Sequence, residues 1–296
     1  MLKRQNIDKG VHSLFLLIAL FSITAFCLIM VFLFMEGLPI FDFISIKQFI
    51  FGQYWYPTDD PADFGIFPLI LGSIYVTIVS GLIAIPLGVM TAVYLAEIAT
   101  PRVAEIVKPI VELMASMPSV IIGFFGMVVV APFLQKFFNI PVGLNMFNAS
   151  LMLAFMAVPT ICSLCEDAIF SVPTALKEAS FALGANHFET IVKVVIPASL
   201  SGICTAVILG LSRAIGETMV VLMAAGGAAM IPKSIFDPVR PLPASIAAEM
   251  AEAPFQSEHY HALFAIGIVL FIFTFVFNLL ADYISYKFRQ TGEASL

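Results

Sequence analysis

Long runs of apolar residues, separated by short polar connections, are the dominant pattern along the chain. A helix needs about 20 mostly apolar residues to cross a bilayer. The pattern therefore predicts an all-α integral membrane protein with six transmembrane helices. The six apolar stretches are Val11–Met35, one within Gly65–Ala96, one within Leu113–Leu134, one within Phe147–Cys165, one that begins near Ser199, and His261–Tyr286. The first is longer than the apolar core of a signal peptide, so we expect it to remain as a helix.

The apolar region Val195–Ile231 is too long for one simple span. It admits two interpretations: one helix followed by an extension on the outer side, or two helices, which would give seven spans. Seven spans would place Lys287 and Arg289 outside, against the usual distribution of basic residues. The six-span interpretation is therefore favoured.

Basic residues in the connections predict the orientation, because cytoplasmic loops carry an excess of lysine and arginine. With six spans, one side of the membrane holds Lys47, Lys136, Lys233 and Arg240. The other side holds Lys3, Arg4, Lys9, Arg102, Lys108, Lys177, Lys193, Lys287 and Arg289. The second side is predicted to be cytoplasmic, and both termini are predicted to lie there.

Composition agrees with a membrane protein. Of the 296 residues, 60% are hydrophobic and only 11% are charged, and the mean hydropathy is +1.02. Soluble domains carry about 25% charged residues, so the composition excludes a soluble globular protein. The net charge of −6 adds little, because the placement of charge decides membrane orientation. The cysteines do not predict a metal site, because the CxxC spacing of Cys162 and Cys165 is not completed by a second pair. His259 and His261, two residues apart, do not predict one by themselves.

The longest predicted cytoplasmic connection joins the fourth and fifth spans. A helical pattern, ALKEASFAL, follows Pro173 and Thr174, and Gly184 ends it, as glycine commonly does after a helix. Asn186 is a candidate N-cap for a second helical segment, with Glu189 in the position of a capping box. The pattern predicts helix, glycine turn and helix. The alternative is a plain amphipathic linker that lies on the inner membrane surface.

Arg213 and Glu217 lie inside the fifth apolar stretch, in the sequence SRAIGETM. A spacing of four residues places both on one helix face. Ionisable residues within a membrane are costly and usually paired, so this face is expected to meet protein or water. Either the two charges neutralise each other as a structural pair, or they take part in function. A neighbouring stripe of small residues would let helices approach closely: Ala206, Gly210, Ala214 and Thr218.

Glu166 and Asp167 form a second charged point, at the inner end of the fourth span. A solvated helix end is the simpler interpretation, and a pair of charges along a path or gate is the alternative. Four prolines within apolar stretches can kink their helices, and ordinary packing is the simpler interpretation of each: Pro68, Pro86, Pro118 and Pro159.

The connection between the fourth and fifth spans resembles the EAA loop of ABC-importer permeases. Glu178-Ala179-Ser180 is followed by Gly184 and then by an apolar residue and Pro197, with Ser180 in place of the second alanine. In that family the first helix of the loop docks on a separate ATPase subunit. The resemblance thus implies ATPase coupling for Glu178, Ala179, Gly184 and Pro197. The sequence contains no GxxxxGK[ST] phosphate loop, so ATP hydrolysis is expected on another subunit and the chain is not expected to be an enzyme.

Other segments are similar to permeases of bacterial phosphate ABC importers: FGIFPLILGSIYVT, YLAEIA, ELMASMPSVIIGFFG, SLCEDAIFSVP and LSRAIGETMVVLMAAG. The similarity runs from Gly65 to about Gly227, and Trp55–Thr58 with its outer loop is more similar to the PstC type than to the PstA type. It implies the type I ABC-importer permease (MetI-like) fold. An N-terminal helix and outer loop would occupy residues 1–64, and a permease core 65–288, with the coupling loop at 173–197.

The same resemblance implies partners. These are a second, PstA-like permease, a homodimeric PstB-like ATPase and a PstS-like extracytoplasmic phosphate-binding protein, all at the cytoplasmic (inner) membrane. Neither a cofactor nor a nucleic acid is expected. Arg213 would contact the passing phosphate, since a guanidinium offers fixed bidentate donors, and Glu217 would hold and moderate Arg213. Two alternatives remain: a permease of the same superfamily for sulfate or molybdate, and an ion-gradient-driven transporter, which leaves the inner loop unexplained.

Overall fold

The computed structural model describes residues 2–288. Arg289, one of the basic residues that predict the orientation, lies outside the described residues. Within the described part, six helices are long and apolar enough to cross a membrane: Val11–Asp42, Phe67–Ile98, Ser119–Phe138, Met146–Phe170, His187–Ile215 and Glu258–Leu280. Each corresponds to one of the predicted apolar stretches. The prediction of a six-span, all-α membrane protein is therefore confirmed.

The α-helices of the described residues are, in chain order, α1 (Leu2–Gly37), α2 (Ile46–Phe51), α3 (Phe67–Val93), α4 (Pro101–Ser116), α5 (Ser119–Phe125), α6 (Ala131–Phe138), α7 (Met146–Phe170), α8 (Thr174–Ala182), α9 (His187–Thr190), α10 (Ile196–Ile215), α11 (Met219–Ala224), α12 (Leu242–Glu249) and α13 (Glu258–Phe288). Two short strands, β1 (Trp55–Tyr56) and β2 (Asp63–Phe64), form an antiparallel hairpin in which Trp55 lies opposite Phe64.

The long apolar region Val195–Ile231 contains one membrane span. The helix α10 ends at Ile215, and the short α11 and an irregular segment follow it. Six residues of α-helix rise only about 9 Å, far less than the roughly 30 Å hydrocarbon layer. One helix with an extension is therefore the correct interpretation, and the seven-span alternative is wrong.

Helices α3, α7 and α10 form the tightly packed centre of the fold. A Cβ atom at Gly210 of α10 would collide with Ile161 of α7, so glycine is needed for this approach. Ala206 and Ala214, one turn to either side, are buried. These three members of the predicted small-residue stripe do bring the helices together. The fourth, Thr218, lies beyond the end of α10.

The N-terminal helix α1 lies at the edge of this centre and packs mainly against α13. Phe32 and Phe264 meet edge to face across this contact, with ring centroids 5.5 Å apart. Most apolar side chains of α1 from Val11 onward are exposed. A helix whose apolar side chains face outward in this way is suited to contact with lipid.

The four prolines noted in the sequence differ in their effects. Pro86 and Pro159 lie inside α3 and α7 without ending them, and Pro68 occupies the first turn of α3. Pro118 alone among the four coincides with a break, between α4 and α5. Ordinary packing is therefore the correct interpretation for three of these positions.

Two other prolines follow π-helical turns. Pro132 is the second residue after the π-turn at Gly126–Val130, and Pro197 is the second residue after the one at Ile191–Val195. A proline ring clashes with the carbonyl four residues earlier and donates no hydrogen bond. A wider turn relieves the clash, so the third and fifth spans continue past their prolines.

Four side chains that are distant in sequence meet in a cluster, which we call the outer cap after its predicted side: Trp55, Arg240, Glu249 and His259. The Trp55 indole nitrogen donates to both carboxylate oxygens of Glu249, at 3.1 and 3.0 Å. Nε2 of His259 lies 2.9 Å from the same carboxylate. Arg240 forms an ion pair with Glu249 and also donates to the Gly227 carbonyl at 2.7 Å. The cluster fastens the β-hairpin, α12 and the start of α13 to one another.

Candidate substrate path and coupling segment

Arg213 and Glu217 do not lie on one continuous helix. Arg213 occupies the last turn of α10, which ends at Ile215 with Gly216 as its C-cap. Glu217 lies past this end, and its backbone N–H donates to the Ala214 carbonyl at 3.3 Å. Among the hydrogen bonds and ion pairs of the described residues, none joins the two side chains. The predicted shared helix face is therefore wrong, because Gly216 ends the helix between them.

The position of Arg213 in the last turn of α10 indicates which surroundings its positive charge requires. A cation in the last turn of a helix gains about 0.3–1 kcal/mol from the helix dipole. Placing an arginine at the centre of a membrane helix costs at least about 2.5–3.5 kcal/mol. The dipole cannot offset this cost, so the exposed Arg213 side chain requires water or another protein. Arg213 lines a small cleft between α7 and α10, where Met156 and Ala157 form part of the wall.

The break after Arg213 has a counterpart just before the third span. Pro118 lies between α4 and α5, and the helices that follow the two breaks, α5 and α11, pack against each other. A Cβ atom at Gly123 would lie 3.1 Å from the Met219 carbonyl oxygen, so the approach is close. Non-helical backbone at membrane depth is tolerated only where protein or water satisfies it. Where such a break lies within the bilayer, its backbone therefore needs protein or water around it, and α11 packs on α5 next to the break that Arg213 and Glu217 flank.

The segment at 173–197, which we call the coupling segment, folds as predicted. Helix α8 ends before Gly184, whose φ of +84° is a conformation that glycine adopts without strain. The Asn186 side chain accepts from the Glu189 backbone N–H at 2.8 Å, and Glu189 accepts from the Asn186 backbone N–H at 3.0 Å. The capping box and the helix–turn–helix shape are confirmed. A buried hydrogen bond of 2.9 Å between the hydroxyls of Ser180 and Thr190 closes the turn.

The coupling segment leaves several apolar side chains without cover. Leu183 is 90% exposed and Phe188 is 72% exposed. The predicted coupling residues Glu178 and Ala179 are exposed on α8. Pro197 lies in the first turn of α10, where the segment enters the fifth span. Large apolar side chains grouped on a surface mark an interaction site.

The charged point at the end of the fourth span divides into two different environments. Glu166 is buried and pairs with Lys108 of α4 at 3.3 Å, whereas Asp167 is exposed. A solvated helix end is therefore the correct interpretation for Asp167 and the wrong one for Glu166. An unpaired buried carboxylate is costly, so the buried Glu166 side chain is held in its ion pair with Lys108. Sequence reasoning missed Lys108 as its partner, since the two residues are far apart in the chain.

Comparison with known sequences gives the family. Residues 84–290 match the family described as "Binding-protein-dependent transport system inner membrane component". The chain is 38% identical over 269 residues to the probable ABC transporter permease protein YqgH of Bacillus subtilis. The alignment covers 90% of this chain and 87% of that protein. The chain is 31% identical over 296 residues to the phosphate transport system permease protein PstC of Haemophilus influenzae, and this alignment covers 92% of each protein. The PstC protein of Mesorhizobium japonicum is 33% identical over 255 residues, covering 80% and 77%.

Solved structures give the fold. The methionine ABC transporter MetNI in an inward-facing conformation superposes with a TM-score of 0.60 at 23% identity, covering 74% of this chain and 94% of that chain. A bacterial alginate ABC transporter in complex with its alginate-bound periplasmic protein gives a TM-score of 0.58 at 17% identity, covering 92% and 96%. The predicted importer-permease fold is confirmed. The chain therefore belongs to the family of inner membrane components of binding-protein-dependent transport systems, as a multi-pass permease.

Proposed function

We propose that this chain is the permease subunit of an ATP-driven importer of inorganic phosphate. The observation that carries the proposal is the similarity to phosphate transport system permeases of the PstC type, at 31–33% identity over most of the chain. The chain pairs with a second, PstA-like permease to form the translocation path. A homodimeric PstB-like ATPase supplies the energy, and a PstS-like binding protein delivers phosphate from outside.

Arg213 contacts phosphate during its passage. Its guanidinium is always charged and offers planar, bidentate donors to an oxyanion. The side chain is exposed in the single chain, at the end of α10 and beside the paired helix breaks. One arginine from a permease makes a weak and transient stop, which suits a path that must also release its cargo. Glu217 lies just past the break, where it limits how long an anion remains.

The coupling segment receives the motion of the ATPase. Glu178 and Ala179 lie on its exposed first helix, and the uncovered Leu183 and Phe188 extend the surface on which the ATPase docks. Gly184 provides the turn, and Pro197 marks the entry to α10. A compact helix pair transmits force better than a flexible loop. Glu166, held by Lys108, fixes α4 against α7 on the same side of the bundle.

Both termini are proposed to lie in the cytoplasm, together with the coupling segment. The excess of lysine and arginine on that side supports this orientation. A reporter enzyme fused after Leu296 is expected to be active only in its cytoplasmic form. Activity of a periplasmic reporter at this position would contradict the orientation. The proposed division into residues 1–64 and a core at 65–288 places the family match, residues 84–290, almost entirely in the core.

Substrate selectivity tests the proposed cargo. The chain is reconstituted into proteoliposomes with its second permease and ATPase, with the binding protein outside and ATP inside. Radiolabelled phosphate is expected to accumulate, and excess unlabelled sulfate or molybdate is expected not to compete. Accumulation of sulfate or molybdate without phosphate would assign the chain to another oxyanion. An ATPase variant that lacks its phosphate-loop lysine serves as the control for ATP dependence.

A further inference from the structure

An ion pair joins the coupling segment to a membrane span other than the one it leads into. Lys177 of α8 lies 2.5 Å from the carboxylate of Glu97, which belongs to the π-turn Tyr94–Ile98 at the end of α3. The two residues are 80 positions apart in the chain. The contact is thus a tertiary attachment between α8 and the second span.

Burial makes this attachment specific. The Glu97 side chain is only 7% exposed and that of Lys177 is 22% exposed. A buried carboxylate that loses its partner is left as an uncompensated charge, which is strongly unfavourable. An exposed pair behaves differently: Lys193 and Glu189, at 3.3 Å in the same segment, are 71% and 40% exposed and contribute little. Glu97 and Lys177 are therefore held together, whereas the exposed pair is free to separate.

Besides its chain connection to the end of α7, the coupling segment is attached to the bundle by two routes. The first follows the chain: the Ser180–Thr190 hydrogen bond holds α8 on α9, and the π-turn at Ile191–Val195 continues into α10. The second is the ion pair from Lys177 to Glu97 at the end of α3. Since α3 packs along most of α7, the second route reaches the centre of the fold.

We propose that the Lys177–Glu97 ion pair positions α8 against the second span, so that movement of α8 drives α3 together with α10. This inference rests on the proposed function, because it assumes that the ATPase moves the coupling segment. Lys177 and Glu97 are positioning residues that contact neither the phosphate nor the nucleotide. Without the pair, α8 loses its ion pair with the end of α3 and acts on the bundle through its chain connections to α7 and α10. ATP is then hydrolysed without the full opening of the path.

The test measures phosphate uptake and ATP hydrolysis in the same proteoliposomes, per assembled complex. In Lys177→Gln, the ratio of phosphate transported to ATP hydrolysed is expected to fall about tenfold, within the range of couplings between contacting residues. Hydrolysis itself continues. The exchange of both residues, Glu97→Lys with Lys177→Glu, is expected to restore most of the ratio. Glu97→Asp, which keeps the charge but shortens its reach, is expected to give an intermediate ratio.

The matched control is Lys193→Gln, which removes the exposed pair in the same segment and is expected to leave the ratio unchanged. A merely structural role would lower the amount of assembled complex and leave the ratio of each complex unaltered. Unchanged ratios in Lys177→Gln and Glu97→Asp would overturn the inference, whether or not assembly fell. Failure of the proposed function would be visible separately, as absence of ATP-dependent phosphate uptake by the unaltered complex.

Discussion

The coupling segment and the outer cap lie at opposite ends of the bundle. They differ in how many of their side chains find partners within the chain. In the outer cap, the Glu249 carboxylate accepts from Trp55, contacts His259 and pairs with Arg240. In the coupling segment, Leu183 and Phe188 are left uncovered. A self-contained polar cluster stabilises the fold, whereas uncovered apolar side chains require a partner. The outer cap therefore contributes to the stability of the fold, and the uncovered surface of the coupling segment supports its proposed role in the transmission of movement.

The largest expected effect is at the glycine turn of the coupling segment. Gly184→Leu is expected to abolish phosphate uptake while membrane insertion continues. A branched residue at φ +84° is strained, and the left-handed conformation costs a non-glycine residue about 1–2 kcal/mol. The turn that directs α8 towards the ATPase would therefore change. Uptake and membrane content are measured together.

Gly184→Asn is the control for the turn, because asparagine adopts the left-handed conformation more readily than other residues. It meets no steric obstacle, since no atom other than those of its chain neighbours lies within 4 Å of a Cβ at this position. Uptake is expected to be largely retained. Normal uptake by a well-inserted Gly184→Leu protein would show that the turn has no role in coupling.

A partial loss is expected at the end of α10. Arg213→Lys is expected to lower phosphate uptake about tenfold, because losing one hydrogen bond to a charged group costs about 1.5–3 kcal/mol. Assembly with the second permease is expected to persist, since lysine keeps the positive charge at this position. Uptake at limiting phosphate and co-purification of the second permease are both measured. If the double change Arg213→Gln and Glu217→Gln transports almost normally, neither residue contacts the cargo.

The smallest effect on transport, with a measurable effect on stability, is expected in the outer cap. Glu249→Ala leaves the Arg240 side chain and the Trp55 indole without their shared acceptor, which costs about 1–3 kcal/mol. The thermal unfolding midpoint of the purified protein is expected to fall, while each surviving complex transports normally. Glu252→Ala, at an exposed carboxylate nearby, is the control and is expected to leave the midpoint unchanged. An equal fall in both variants would contradict the account of the outer cap.

The same two regions show what a sequence can predict. The coupling segment is predictable because its signals are local: a glycine after a helix, and Asn186 three residues before Glu189. The outer cap is not, because Trp55 and Glu249 are 194 positions apart and no local pattern connects them. Glu166 was misjudged for the same reason, since its partner Lys108 lies 58 positions away.

The error at Arg213 and Glu217 has another cause. Glycine is common within transmembrane helices, so Gly216 did not distinguish a continuous helix from one that ends. The structure shows that α10 ends at this glycine, and the short α11 that follows packs on α5, a contact between segments far apart in the chain. The six spans were predictable, because the need to bury about 20 apolar residues in lipid is independent of how the helices pack.

The central claim is that ATP hydrolysis, acting through the coupling segment, drives phosphate through this permease. The most direct measurement is phosphate uptake into proteoliposomes that contain the complete complex, with all ion gradients collapsed by ionophores. Uptake is expected to continue when ATP is present inside and to stop when ATP is absent. Uptake that requires an ion gradient and proceeds without ATP would contradict the claim.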